Sequence, residues 1–257
     1  MKGSGLVVLL ATAVLLSGCA SNTANTAAGR STEETLEAYT NLGVQYLQAG
    51  NTVSAKLSLQ RALNLNSNHA PALSALALTF QAEQEFGLAE KYFLLALEAD
   101  PDSARVHNNY GAFLYSQERY EAACSQLRRA TTDPFYSGRA QALENLGRCN
   151  EFIGNKSKAA ESYKRALAIN GNRPVSLVNL GLIEIENGEI ASASRRFGRF
   201  LELVEANRTD HTAASLWLGI QLARVERNTS KASTYALILK NTYPNSAEYR
   251  RYEESTQ

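Results

Sequence analysis

One alanine recurs along this chain at intervals of 34, 34, 36 and 34 residues, and each copy lies in the same local pattern. A large residue followed by Gly or Ala precedes the alanine by about a dozen positions. A period of this length indicates one supersecondary unit that cannot bury its apolar face alone, so neighbouring units must stack. A sixth, degraded copy begins at Leu218-Gly219. The recurring alanines are Ala55, Ala89, Ala123, Ala159 and Ala193.

This period and pattern resemble the tetratricopeptide repeat, in which each unit consists of two antiparallel helices, A and B. Small residues such as Gly43 on helix A and Ala55 on helix B allow the two helices to approach closely. The sequence predicts an all-α tetratricopeptide-repeat solenoid of about six helix-turn-helix repeats in a right-handed superhelix. The alternative is a generic helical bundle with accidental periodicity. The predicted repeats lie near residues 36–69, 70–103, 104–137, 140–173, 174–207 and 212–246, within a domain spanning 33–257.

The segment 1–18 has the features of a secretory signal peptide. Lys2 supplies a positive charge, and the apolar run at residues 6–16 is too short to span a bilayer. The run ends in Leu16-Ser17-Gly18-Cys19, which resembles the bacterial lipobox. That resemblance implies that Cys19 receives a diacylglyceryl group, that the signal is cut before it, and that the new amino group is acylated. The alternatives are an ordinary cleaved signal with an incidental cysteine and an uncleaved anchor.

Residues 19–32 are small and polar, and we expect them to form a lipidated flexible tether. Ala20 and Ser21 follow Cys19 and no Asp does, which by resemblance to bacterial sorting rules favours the outer membrane. Two or three acyl chains, at about 0.8 kcal/mol per buried CH₂, would make the anchor effectively permanent. We therefore expect a lipoprotein that faces the periplasm and has no cofactor other than the covalent diacylglycerol and N-acyl chain on Cys19.

Composition and motifs argue against several other classes of protein. The 26 Lys and Arg residues nearly balance 25 Asp and Glu residues, and no basic stripe of the kind that binds nucleic acid is present. The three histidines have neither the spacing nor the context of metal ligands. No catalytic triad order, nucleophile elbow or phosphate loop occurs. We therefore expect no enzyme, no metal site, no small-molecule substrate and no nucleic-acid partner.

Two cysteines remain after Cys19 is lipidated. Cys124 lies on helix B of the third repeat and Cys149 on helix A of the fourth, two helices that should be neighbours. The periplasm permits disulfides. The pair is therefore a possible disulfide, with two buried thiols as the alternative, since neighbouring helices place few pairs in disulfide geometry.

The helix A residues of a tetratricopeptide solenoid form its concave groove and should determine what it binds. Some members of this superfamily hold a carboxy-terminal carboxylate with a clamp of Lys, Asn and Arg. That clamp is absent here, because hydroxyl and apolar residues stand at its Lys and Asn positions. The predicted groove instead suits an amphipathic helix or an extended segment with apolar anchors. The candidate groove residues are Val44, Leu47, Leu78, Asn108, Tyr115 and Arg148.

Three segments resemble a narrower family, the type IV pilus biogenesis and stability lipoproteins (PilF/PilW). They are NNYGAFL at residues 108–114, ATTDPFY at 130–136 and ALENLGRC at 142–149, and the resemblance covers roughly residues 36–203 together with the lipobox. It implies an outer-membrane pilotin that binds the pilus secretin subunit and promotes its localisation and multimerisation, as pilus biogenesis and twitching motility require. One departure is that the family often has a cysteine where Tyr115 stands, so only Cys149 matches the family's cysteines.

A second hypothesis is a lipoprotein adaptor for peptidoglycan enzymes or for the β-barrel assembly machinery. It belongs to the same class of binding scaffold, because a tetratricopeptide array alone predicts a grip on another chain without naming that chain.

Overall fold

The computed structural model describes residues 31–256, so the predicted signal peptide and Cys19 lie outside the described residues, as does the predicted tether except for Ser31 and Thr32. The described part of the chain folds into thirteen α-helices and no strand. No helix within it is long and apolar enough to cross a membrane. The helices are α1 Thr32–Gln48, α2 Thr52–Leu65, α3 Ala70–Ala82, α4 Phe86–Ala99, α5 Ala104–Ser116, α6 Tyr120–Ala130, α7 Arg139–Phe152, α8 Lys156–Ile169, α9 Pro174–Glu186, α10 Ile190–Glu205, α11 Ala213–Val225, α12 Thr229–Thr242 and α13 Ala247–Glu254.

Twelve of these helices form six consecutive hairpins, α1–α2 to α11–α12, and each hairpin packs against the next. The predicted tetratricopeptide solenoid is therefore confirmed. The first helix begins in a capping box, in which Ser31 accepts a hydrogen bond from the backbone N–H of Glu34 and the Glu34 carboxylate accepts one from the N–H of Ser31. The helix thus begins at Thr32, one residue before the predicted domain boundary. Helix α13 packs on α11 and α12 and has no counterpart in the sequence prediction.

The two helices of a hairpin meet at a small residue on helix A. A Cβ atom added to Gly43 would lie 2.5 Å from Cγ of Leu59, and one added to Gly147 would lie 2.4 Å from Cε1 of Tyr163. Both distances are shorter than any van der Waals contact, so glycine is required for this packing. The recurring alanine of helix B is fully buried in the first five hairpins.

The turn between helix A and helix B also repeats. Gly50, Gly154 and Gly188 have φ angles of 74°, 79° and 78°, a left-handed conformation that glycine adopts without steric cost. In the second and third hairpins, Gln84 and Glu118 adopt the same conformation, with φ of 62° and 59°. The turn geometry is therefore set by the packing of the hairpin rather than by the presence of glycine.

Polar contacts join adjacent hairpins along the edge where these turns lie. Lys56 and Glu83 form an ion pair of 2.7 Å between the first two hairpins. Between the second and third, Glu90 pairs with Arg119 and accepts a hydrogen bond of 2.9 Å from the hydroxyl of Tyr110. Burial and this contact with Glu90 raise the pKa of Tyr110 to about 12, so its hydroxyl remains a donor at any physiological pH.

The close contact at Gly147 predicts the result of a single substitution. Gly147→Ala is expected to destabilise the protein by about 1–3 kcal/mol, because the new methyl group overlaps the buried ring of Tyr163. The matched control is Gly198→Ala in α10, where an added Cβ has no atom within 4 Å. The control should stabilise by about 0.5–1 kcal/mol through helix propensity. Urea unfolding followed by circular dichroism compares the two, and equal stabilities for both variants would contradict the packing argument.

Candidate functional site

A groove of about 590 Å³ lies between the A helices of the first three hairpins. Its floor is mainly apolar with two buried hydroxyl residues, its edges carry exposed acidic residues, and Asp133 and Tyr136 line it from the loop at residues 131–138. Such a surface suits a chain segment that buries a few side chains and leaves its polar groups at the rim. The lining residues are Glu37, Thr40, Asn41, Val44, Pro71, Ser74, Ala75, Leu78, Asp100, Asp102, Ser103, Ala104, Arg105, Val106, Asn109, Asp133 and Tyr136.

The structure brings two of the predicted groove residues together in this cavity. Val44 on α1 and Leu78 on α3 both line it and are half-buried, so each presents apolar surface to an incoming segment. Leu47 lies one turn further along α1, is also half-buried, and does not line the cavity. The apolar part of the groove therefore centres on Val44 and Leu78.

A second, smaller cavity of about 70 Å³ lies between α5 and α7. Tyr115 and Arg148 line it, and the Arg148 guanidinium lies 5.3 Å from the centre of the Tyr115 ring in a cation–π contact. Ala112, Leu127 and Asn145 complete the walls. This cavity offers an apolar recess with a cation at its mouth, which could hold one side chain of a partner.

The sixth predicted groove residue, Asn108, belongs to a chain of side-chain amides that crosses three A helices. Asn145 on α7 donates to Asn108 at 3.2 Å, Asn108 donates to Asn109 at 3.4 Å, and Asn109 donates to Ser74 on α3 at 3.2 Å. Asn108 is only 9% exposed, so its amide joins repeats rather than facing the groove. The residues of this chain that reach the two cavities are Ser74, Asn109 and Asn145, none of which was among the candidate groove residues.

A buried carboxylate on α7, helix A of the fourth repeat, contacts the next repeat and does not line the groove. Glu144 is 6% exposed and accepts hydrogen bonds from Arg173 and from the backbone N–H and hydroxyl of Ser176. Ser176 lies in the first turn of α9, whose own N-cap residue makes no side-chain cap. Glu144 of the fourth repeat thus caps α9 of the fifth repeat. Its carboxylate accepts a hydrogen bond from a backbone N–H that has no partner within α9 and lies at the positive end of the helix dipole.

Two further carboxylates lie in the fourth and fifth hairpins, where Glu184 is buried and Glu151 is half-buried. Burial raises the pKa of Glu151 despite the 2.8 Å hydrogen bond that its Oε2 accepts from Tyr163. Burial likewise raises the pKa of Glu184, whose Oε1 lies 3.5 Å from Nε of Arg196. Neither residue lines the groove. Within residues 31–256, no group of three His, Cys, Asp or Glu side chains is arranged to hold a metal ion.

Cys124 and Cys149 form a disulfide, with their Cα atoms 5.6 Å apart. Both cysteines are buried, and the bond joins α6 to α7 across the 36-residue step of the repeat. Of the two alternatives that the sequence left open, the structure has the bridge. The loop at residues 131–138 lies within the segment that the disulfide closes, and Phe135 at its tip is 93% exposed.

An aromatic cluster lies beside this joint. The rings of Tyr120 and Phe152 stack with centroids 3.7 Å apart, and Tyr115 meets Tyr120 edge to face at 5.3 Å. The cluster lies between the third and fourth hairpins, as the disulfide does. It therefore adds apolar contact at the step where the repeat spacing is longest.

Comparison with known proteins gives the same fold and a narrower group of relatives. Models of the tetratricopeptide repeat match residues 36–69, 70–103 and 102–170. The type IV pilus assembly protein PilF of Pseudomonas aeruginosa is 38% identical over 254 residues, which is 97% of each chain. A solved structure of that PilF superposes with a TM-score of 0.79 at 37% identity, covering 88% of this chain and all of the other. The crystal structure of PilW, described as a widely conserved type IV pilus biogenesis factor, gives a TM-score of 0.68 at 27% identity, covering 84% and 97% of the two chains.

The disulfide predicts a redox-dependent stability. Cys124→Ala combined with Cys149→Ala is expected to lower the free energy of unfolding by about 3 kcal/mol, because the bond closes a loop with a sequence separation of 25 residues. A phosphine reductant should lower the stability of the wild-type protein by a similar amount and leave the double variant unchanged, which serves as the control. Unchanged wild-type stability after complete reduction would contradict the prediction.

Proposed function

Because the chain belongs to the PilF family of tetratricopeptide-repeat proteins, whose named members act in type IV pilus assembly, we propose that it is a pilotin for the pilus secretin. The observation that carries this proposal is the 38% identity with PilF over 97% of both chains. A match across the whole length indicates a shared architecture rather than a shared repeat alone. In this proposal the protein holds a secretin subunit and promotes its arrival and multimerisation in the outer membrane.

The groove formed by α1, α3 and α5 is the proposed secretin-binding surface. Val44 and Leu78 supply partly exposed apolar area on rigid helices, and the amide chain from Asn145 to Ser74 joins α7, α5 and α3. A preformed apolar groove loses little conformational entropy when a segment binds, which favours capture of an extended or helical segment. The protein would act stoichiometrically, by shielding that segment until subunits assemble.

The lipid anchor is the second part of the proposal and rests on sequence alone. Cys19 in its lipobox context would carry the acyl chains, and Ala20 and Ser21 would direct the lipoprotein to the outer membrane. With the solenoid bound to a secretin subunit, the acyl chains would carry both to the same bilayer. In this proposal the solenoid binds the secretin subunit and the acylated Cys19 delivers it to the membrane, so each activity can be removed without the other.

The groove assignment is tested by comparing two single variants, in each of which a leucine is replaced by lysine. Leu78→Lys should abolish secretin multimers in the outer membrane and twitching motility, because it places a charge on the apolar floor. Leu94→Lys is the matched control, since Leu94 is 52% exposed on α4 and does not line the groove. Both variants are checked for wild-type helical content and thermal unfolding before secretin is measured by membrane fractionation and immunoblotting.

Two results would overturn this assignment. One is a folded Leu78→Lys protein with a normal amount of correctly located secretin multimer. The other is the purification of murein hydrolases or β-barrel assembly components with the wild-type protein in place of secretin, because such a result would favour the adaptor hypothesis.

The anchor is tested independently with Cys19→Ser. This variant should no longer reach the outer membrane, because its precursor lacks the thiol that the lipoprotein route modifies before it cuts the signal. Its solenoid should still bind secretin subunits in vitro, because Cys19 precedes the first helix of the repeats. Secretin multimers should then be lost from the outer membrane. Retention of Cys19→Ser protein in the outer membrane would contradict lipid anchoring through this residue.

A further inference from the structure

The rim of the groove concentrates negative charge. Glu37 lines it on α1, Asp100 and Asp102 line it at the turn before α5, and Asp133 lines it from the loop at residues 131–138. Arg105 is the one cation among the lining residues. The chain as a whole has a formal net charge of only +1, so the excess of carboxylates at this rim is local.

Backbone contacts hold two of these carboxylates in place. Oδ1 of Asp133 accepts a hydrogen bond of 2.8 Å from the N–H of Phe135, and Oδ1 of Asp100 accepts one of 3.3 Å from the N–H of Asp102. Each carboxylate keeps its second oxygen available to a ligand. The Asp102 side chain is 98% exposed and lies 3.9 Å from Arg129, and the half-exposed Glu37 carboxylate lies 3.6 Å from Nε2 of His69. Solvent screens such surface contacts strongly. The charge at the rim is therefore positioned and only weakly neutralised.

The floor between these carboxylates is mainly apolar, since Val44, Ala75, Leu78 and Val106 line it. The buried hydroxyls of Thr40 and Ser74 also line it and are already hydrogen-bonded within the protein. A segment that fills the groove must bring apolar side chains to the floor and its polar side chains to the rim. Acidic side chains at the rim would meet like charge, whereas Lys or Arg would meet opposite charge and form charge-assisted hydrogen bonds. The floor therefore favours a segment with apolar anchors, and the rim favours Lys or Arg at the positions between those anchors.

We propose that this groove recognises a cationic amphipathic segment, in which apolar anchors alternate with Lys or Arg, and discriminates against acidic segments of the same apolar pattern. The inference rests on the proposed function in that the segment would belong to the secretin subunit. The recognition itself follows from the floor and the rim and requires no particular source for the peptide.

The charge preference is measured with three synthetic peptides of one length that share all apolar positions and carry Lys, Gln or Glu at the others. Full-length protein purified in a non-ionic detergent is titrated with each peptide by fluorescence anisotropy. The Lys peptide should bind about tenfold more tightly than the Gln peptide, and the Glu peptide should bind most weakly. Raising NaCl from about 50 mM to about 500 mM should remove most of the difference, because the rim charges are exposed to solvent.

A double neutralisation locates the effect at the rim. Asp100→Asn with Asp102→Asn removes two charges, and Asn at position 100 keeps the oxygen that accepts the turn hydrogen bond. This variant should lose about three- to tenfold in affinity for the Lys peptide and be unchanged for the Gln peptide. Glu98→Gln with Glu205→Gln is the matched control, because both residues are exposed on B helices and neither lines the groove.

The outcomes separate this inference from the proposed function. Equal affinity for all three peptides, or an unchanged Lys-peptide affinity in the Asp100/Asp102 variant, would overturn the charge selection even if secretin subunits bind through Leu78. Preferential binding of the Lys peptide that the rim variant weakens would support the charge selection, also in a protein that fails to bind purified secretin subunits. In that second case the proposed function would fail and the recognition chemistry would stand.

Discussion

The close approach of two helices at a small residue is the contact on which the rest of the structure depends. Where Gly43 meets Leu59 and Gly147 meets Tyr163, the helices of a hairpin lie nearer than any side chain at the glycine would allow. This contact fixes the angle and spacing within each repeat, so a repeat behaves as a rigid unit. The groove has a defined shape because the A helices that form its walls are each held by their own B helix.

The packing inside each hairpin repeats along the chain, whereas the interactions that join one repeat to the next differ from joint to joint. The first two joints use partly exposed ion pairs, and the joint between the fourth and fifth repeats uses the buried cap that Glu144 provides to Ser176. The joint between the third and fourth repeats uses the Cys124–Cys149 disulfide and the aromatic cluster beside it. The covalent joint lies where the repeat is two residues longer and an exposed loop interrupts the array. A solenoid gains stability mainly from nearest-neighbour interfaces, so its longest step is where an added cross-link has the most effect.

The sequence predicts the parts of this protein that depend on local, periodic packing. The spacing of Gly43 and Ala55, repeated along the chain, was enough for the hairpins and their order. The spacing did not predict that Glu144 caps the next repeat. A carboxylate on helix A can face either solvent or the next helix, and the direction depends on how adjacent repeats stack. The pairing of Cys124 with Cys149 depends on side-chain geometry across two helices, which spacing does not determine. The short polar helix α13 lies outside the repeat pattern, and periodicity gave no signal for it.

The disulfide also affects the groove, through the segment that it closes. Asp133 and Tyr136 line the groove and lie between Cys124 and Cys149, so one edge of the binding surface is part of a covalent ring. Such a ring has far fewer unbound conformations than an open loop of the same length, and a partner that docks against it gives up correspondingly less freedom. Oxidation of the two thiols thus preorganises the edge of the groove, and the readiness of the protein to bind depends on the compartment in which it folds.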